Sequence, residues 1–121
     1  IELGEELAYL ERLRLADSEP ISLEKSYLVH GYCPGILSAD YAQTPLRRAL
    51  QMKYGIRLLR ARQTIRAAAA SKETARKLSV GPGAPLLSIE RVSYSQNNTP
   101  IELLRVCHRG DRYILYNELQ G

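Results

Sequence analysis

The chain has 121 residues, is 45% hydrophobic and 25% charged, and carries a formal net charge of +4. These values exclude the disordered and fibrous classes, and a chain of this length buries roughly two-thirds of its unfolded surface, enough for one core but not two. There is no run of about 18 apolar residues to cross a bilayer, the acidic opening Ile1-Glu2-Leu3-Gly4-Glu5-Glu6 is not a signal peptide, and a start at Ile1 rather than Met predicts a piece of a longer protein.

Tyr9 to Ala16 reads as a strand, with Glu11, Leu13 and Leu15 on one face and Leu10, Arg12 and Arg14 on the other. Asp17-Ser18-Glu19-Pro20 is a turn, and Ile21 to Val29 is the returning strand of a hairpin. Gly31 to Gln43 reads as a loop with room for one helical turn. Thr44-Pro45 opens a helix with a capping hydroxyl and a proline at the first helical position. Leu46, Ala49 and Leu50 follow at helical spacing, and Gly55 ends the helix in the left-handed conformation.

Ile56 to Ala67 is a long strand that places Ile56, Leu58, Arg60, Arg62, Thr64 and Arg66 on one side. Ser71 caps a second helix running through Leu78, closed by Gly81-Pro82-Gly83. Pro85 to Ser95 alternates cleanly, Gln96-Asn97-Asn98-Thr99 is a hairpin turn, and Ile101 to His108 returns. Arg109-Gly110-Asp111 turns again into a sixth strand, Arg112 to Glu118. Strands joined mainly by hairpins, with two helices between them, predict an α+β domain on an antiparallel sheet. A parallel sheet would need a crossover after nearly every strand.

The sequence holds no glycine-rich phosphate loop, nucleophile elbow or His-Glu helix pair, so no catalytic residue and no cofactor is assigned. Cys33 and Cys107 cannot form a disulfide framework, and free thiols in the cytoplasm are expected. His30 and Cys33 have metal-like spacing but nothing nearby to complete a site, so no metal is expected. Of 17 basic residues 13 are Arg, spread over several segments rather than clustered on one helix, which fits a small anionic ligand at least as well as nucleic acid. With eight Tyr and neither Phe nor Trp, the core must be aliphatic.

The most informative constellation is Arg12-Leu13-Arg14. Residues two apart on a strand share a face, so two guanidiniums point the same way and call for an anion between them. That anion is either a protein carboxylate or a bound phosphate or carboxylate. Glu24 lies on the paired strand, on the face of Arg14 for a three- or five-residue loop and on the opposite face for a two-residue loop. Glu102 and His108, six apart, share a face of their strand, and Thr44 adds a hydroxyl and free N–H groups at a helix start. Together these side chains form a candidate polar ligand site.

Several segments carry a family resemblance. Glu11 to Ile21 resembles an "R-x-R-x-A-D-G-E-P" hairpin, Leu23 to Leu28 the strand after it, and Tyr54-Gly55-Ile56 the end of a helix. Gly83 to Arg91 resembles "G-x-P-L-L-x-x-x-R", Thr99 to Glu102 "P-x-E", and Arg109 to Tyr113 "R-x-D-R-Y". In order and with compatible spacing, they resemble the UTRA domain, the effector-binding domain of HutC-type regulators in the GntR family of transcription regulators.

The resemblance implies a chorismate-lyase-like fold, a six-stranded antiparallel sheet with flanking helices, over residues 1–121 as one domain. It implies a homodimer that senses a small anionic effector in the cytoplasm and touches DNA only through an N-terminal winged helix-turn-helix domain absent from this sequence, with no membrane partner. The first part of the effector domain would be absent too, leaving the pocket incomplete. Position by position, Arg12 and Arg14 match the family's paired pocket arginines, Glu24 and Glu102 its pocket carboxylates, and Thr44 a helix-start Ser. His108 stands where relatives carry Tyr, and Leu46 replaces a helix-start Tyr, a departure that argues against a sugar phosphate. The alternatives are a chorismate-lyase-like enzyme acting on an aromatic carboxylate, and direct nucleic-acid binding by Arg57, Arg60, Arg62, Arg66 and Arg76.

Overall fold

A computed structural model describes residues 7–38 and 46–112. Five strands form one antiparallel sheet: β1 (Leu7–Ala16), β2 (Glu19–Val29), β3 (Leu58–Ala69), β4 (Pro85–Ser95) and β5 (Pro100–Arg109), in the order β1-β2-β5-β4-β3. Two helices accompany it, α1 (Leu46–Tyr54) and α2 (Lys72–Leu78). The α+β class and the antiparallel pairing are as expected. The sixth strand expected over 112–118 lies, beyond Arg112, outside the described residues, and so does the helix start at Thr44-Pro45.

The first hairpin is tighter than its sequence suggests. The turn is Asp17-Ser18 alone, both at positive φ, and Glu19 and Pro20 already belong to β2. A two-residue loop would set Glu24 opposite Glu11, on the wrong face for the arginines. A bulge reverses that parity: Arg14 pairs with Ser22 and Leu15 with Pro20, so Ile21 is an extra residue. Pro20, with no N–H for the ladder, is where such an interruption is least costly. Beyond the bulge Arg12 faces Glu24 directly.

A second bulge corrects the expected facing of β3. Leu58 pairs with Ser95 and Arg60 with Tyr94, so Leu59 is extra. Leu58 therefore faces the same side as Ser93 and Ser95, whereas Arg60, Arg62, Thr64 and Arg66 face the other. A third register shift, between Ser93 and Tyr94, leaves Ile101 extra on β5.

Each face carries one helix. On the front face α1 buries Leu46, Ala49 and Leu50 against Ala8, Leu28, Ile56, Leu58 and Ile101. Gly55 (φ +66) ends α1 as expected, with its N–H on the Gln51 carbonyl. On the back face α2 buries Ala75 and Leu78 against Leu23, Ala70 and Leu86. The Ser71 hydroxyl caps α2 by accepting from the Thr74 N–H at 3.2 Å. The helix stops at Ser79, itself left-handed (φ 57), two residues before the glycines expected to close it. Both clusters are aliphatic, as a chain without Phe or Trp requires. The 31–43 loop contributes two short 3-10 turns, at His30–Tyr32 and Ile36–Ser38.

Candidate functional site

Beyond the edge of α1 the front face turns polar. Across the sheet it presents Arg12 and Arg14 on β1, Ser22, Glu24 and Ser26 on β2, Glu102 and His108 on β5, and Arg91 and Ser93 on β4. Between this stripe and α1 lies a cleft of about 460 Å³, whose polar lining is Arg12, Arg47, Arg60, Arg91, Ser93 and Glu102 and whose apolar lining includes Leu46, Leu58 and Leu104. Apolar walls with a few convergent polar groups are the usual make-up of a small-molecule site. A larger depression of about 610 Å³ runs outside α1 but touches only Arg47, Arg48, Gln51 and Met52, too few groups to surround a ligand.

The expected site residues separate into two neighbourhoods. Arg12 and Glu102 line the cleft. Arg14, expected beside Arg12 in the concavity, lies outside its lining with its side chain 64% exposed, against 36% for Arg12. The anion between the two guanidiniums is Glu24: Oε2 lies 3.1 Å from Arg12 Nη2 and Oε1 3.9 Å from Arg14 Nε. His108 stands at the Arg14 end, its Nδ1 2.6 Å from the Ser22 hydroxyl. Thr44 lies outside the described residues.

Burial sets the protonation of this stripe. Glu102 is buried, and loss of water raises its carboxyl above the ordinary carboxylate range. Ser26, Arg12 and Arg91 pull it partly back, while Glu24 pushes it further up. The Ser26 hydroxyl is near enough to exert that pull, yet it is fully buried and has no hydrogen bond of normal geometry. Burial lowers the His108 imidazole, with Glu24 opposing that shift and Arg14 reinforcing it. Burial thus favours the uncharged ring.

Arg47, Arg91 and Ser93 also line the cleft and were not among the expected site residues; Arg60, named from sequence only for nucleic-acid binding, borders the cleft but turns its guanidinium to the back face over Tyr94. Arg91 and Ser93 share a face with Glu102, because Ser93 pairs with Glu102 and Arg91 with Leu104. Alternation within β4 was legible, but the face it turned to the site depended on the register with β5. Among the described residues no three His, Cys, Asp or Glu side chains gather as a metal would require. Cys33 is buried, with its thiol donating to the Val29 carbonyl at 3.4 Å.

Comparison with known proteins points the same way as the geometry. The family model described as "UTRA domain" matches residues 1–114. The HTH-type transcriptional repressor NagR of Bacillus subtilis (strain 168) is 34% identical over 104 residues, which is 86% of this chain and 42% of that protein. Among solved structures, the effector domain of PhnF from Mycobacterium smegmatis superimposes with a TM-score of 0.91 at 26% identity, covering 100% of this chain and 74% of that one. A GntR-family transcriptional regulator from Enterococcus faecalis V583 gives a TM-score of 0.83 at 28% identity, covering 96% of this chain and 83% of that one. The chain spans under half the length of the curated relatives it matches.

Proposed function

The chain belongs to the UTRA domain family, and from that premise we propose that residues 1–121 are the effector-sensing and dimerisation domain of a GntR/HutC-type transcription regulator acting in the cytoplasm. Its ligand is a small anion, its partner a second copy of itself, and its contact with DNA runs through a winged-helix region outside this sequence. The observation that carries the reading is the cleft, where Arg12, Arg47 and Arg91 meet, among the described residues, a single buried carboxylate over an apolar floor. Arginine forks phosphate and carboxylate oxygens in pairs, so such a lining favours anions over neutral guests.

Arg12 grips the anion, and Glu24 holds Arg12 in place while sharing its other oxygen with Arg14. Burial favours the neutral form of Glu102, which lessens its repulsion of an anion. His108 and Ser22 shape the rim near Arg14. Regulation follows by population shift: an effector that prefers one dimer arrangement changes the spacing of the DNA-binding parts. A coupling of about 1–3 kcal/mol changes operator affinity roughly 5–150-fold. The relatives are transcription regulators, and no observation favours a lyase reading.

The test is native mass spectrometry of the purified chain, followed by calorimetric titration of whatever small molecule is found. An anionic guest whose binding Arg12→Ala weakens at least tenfold supports the reading. A neutral or cationic guest, or one indifferent to Arg12, overturns it.

A further inference from the structure

Positive charge around the cleft is unevenly compensated. Arg12 shares the Glu24 carboxylate with Arg14. The Arg47 and Arg91 guanidiniums are held by oxygens that carry no formal charge. Arg47 donates to the Leu58 carbonyl. Arg60 borders the cleft but turns its guanidinium to the back face, over the Tyr94 ring at 4.0 Å and onto the Asn98 amide oxygen at 2.8 and 3.2 Å, so it takes no part. Arg91 donates to the Gln63 amide oxygen at 2.6 and 2.8 Å. A neutral acceptor orients a guanidinium without cancelling its charge. Among the described residues no carboxylate lies within ion-pair distance of Arg47 or Arg91. Glu102, the one carboxylate lining the cleft among those residues, is buried beside them.

The two uncompensated guanidiniums belong to α1 and β4, across the sheet from Arg12. β1 and β4 are three ladder steps apart, about 14 Å at ordinary strand spacing. Arginine arms reaching in from both sides leave room between them for a ligand several bonds long. A guest with one anionic end would satisfy Arg12 and leave the other cluster facing only its neutral end.

We infer that Arg47 and Arg91 form a second anion subsite, and that the ligand of this cleft carries two anionic groups, one for each side. This rests on the cleft being the effector site and names the class of effector it takes. Dicarboxylates, bisphosphates and phosphorylated acids share that chemistry. A preorganised cluster of positive groups gains most from a guest that neutralises it in place of water.

Calorimetric titration of the 121-residue chain with two matched pairs of probes tests this: adipate against hexanoate, and fructose 1,6-bisphosphate against fructose 6-phosphate. In at least one pair the two-anion member is expected to bind at least tenfold more tightly, and the pair that does so tells carboxylate from phosphate ends. Arg91→Gln should remove that advantage. Gln63→Glu should do the same without touching an arginine, because it keeps an acceptor beside Arg91 and adds the missing negative charge. That variant carries the test if Arg91→Gln fails to fold. Equal affinity within both pairs, or an advantage that survives Gln63→Glu, overturns the second subsite and leaves a one-anion effector site standing. No binding by any of the four probes overturns both.

Discussion

The two faces of the sheet treat charge differently. On the back face over β2, β4, β5 and α2, cations meet carboxylates: Lys77 bridges Glu11 and Glu73, Arg105 meets Glu90, and Arg109 lies between Glu19 and Asp111, while on the edge strand β3 Arg60 rests on Asn98 and Tyr94. On the front face Glu24 serves two arginines, and the Arg47 and Arg91 guanidiniums at the cleft rest on a carbonyl and an amide oxygen. The same residue type therefore does two jobs. Where arginine is paired with a carboxylate it closes a surface, and where a neutral oxygen holds it toward the cleft it keeps its charge for a guest.

The largest expected effects separate the two faces through their cores. Leu50→Ala beneath α1 and Leu78→Ala beneath α2 each remove a fully buried side chain, and each should cost about 2–5 kcal/mol in urea unfolding. Only Leu50→Ala should also weaken anion binding, because α1 brings Leu46 and Arg47 to the cleft. Equal loss of binding in both variants would erase the distinction between the faces.

Next comes pH. Burial raises the Glu102 carboxyl in the folded chain, so the unfolded chain is the stronger acid at this position. The stability linked to Glu102 is fully present below the ordinary carboxylate value and is lost as pH rises through its raised value. Glu102→Gln should flatten that decline in a series of unfolding curves. His108 acts in the opposite sense: its lowered value favours the neutral ring, so its contribution is present above the ordinary imidazole value and fades as pH falls through the lowered one.

A smaller change is expected at Glu24. Glu24→Gln frees Arg12 and Arg14 of their shared carboxylate and should tighten binding of an anionic guest about fivefold, the worth of roughly 1 kcal/mol for such a pair. Weaker binding would mean that the Glu24 charge, and not merely an acceptor oxygen at that position, is needed to hold Arg12 in place. Smallest of all, Glu90→Gln on the back face breaks an exposed pair with Arg105 and should change stability by under about 1 kcal/mol, with no effect on anion binding.

Much of this was legible because alternation is local. The run Leu10, Arg12, Arg14 on one face of β1, the Ser71 cap, the left-handed Gly55 and the Asn98 turn (φ 57) all depend on a few neighbouring residues. What could not be read depends on pairing. Three bulges each shift side-chain parity by one, and the one at Ile21 decides that Glu24 meets Arg12 rather than the opposite face. Arg91 was visible in β4, yet its place beside Glu102 follows from the β4–β5 register. The neutral partners of Arg60 and Arg91 are Asn98 and Gln63, 38 and 28 residues away, and no local pattern announces them.

Anomalous diffraction from crystals of the chain grown with selenate tests the central claim most directly, because a tetrahedral dianion that scatters strongly reports where positive charge is left unanswered. The account predicts a selenate peak inside the front cleft, within hydrogen-bond reach of Arg12 or Arg91. Peaks confined to the back face or the exposed rim, with none in the cleft, would contradict it.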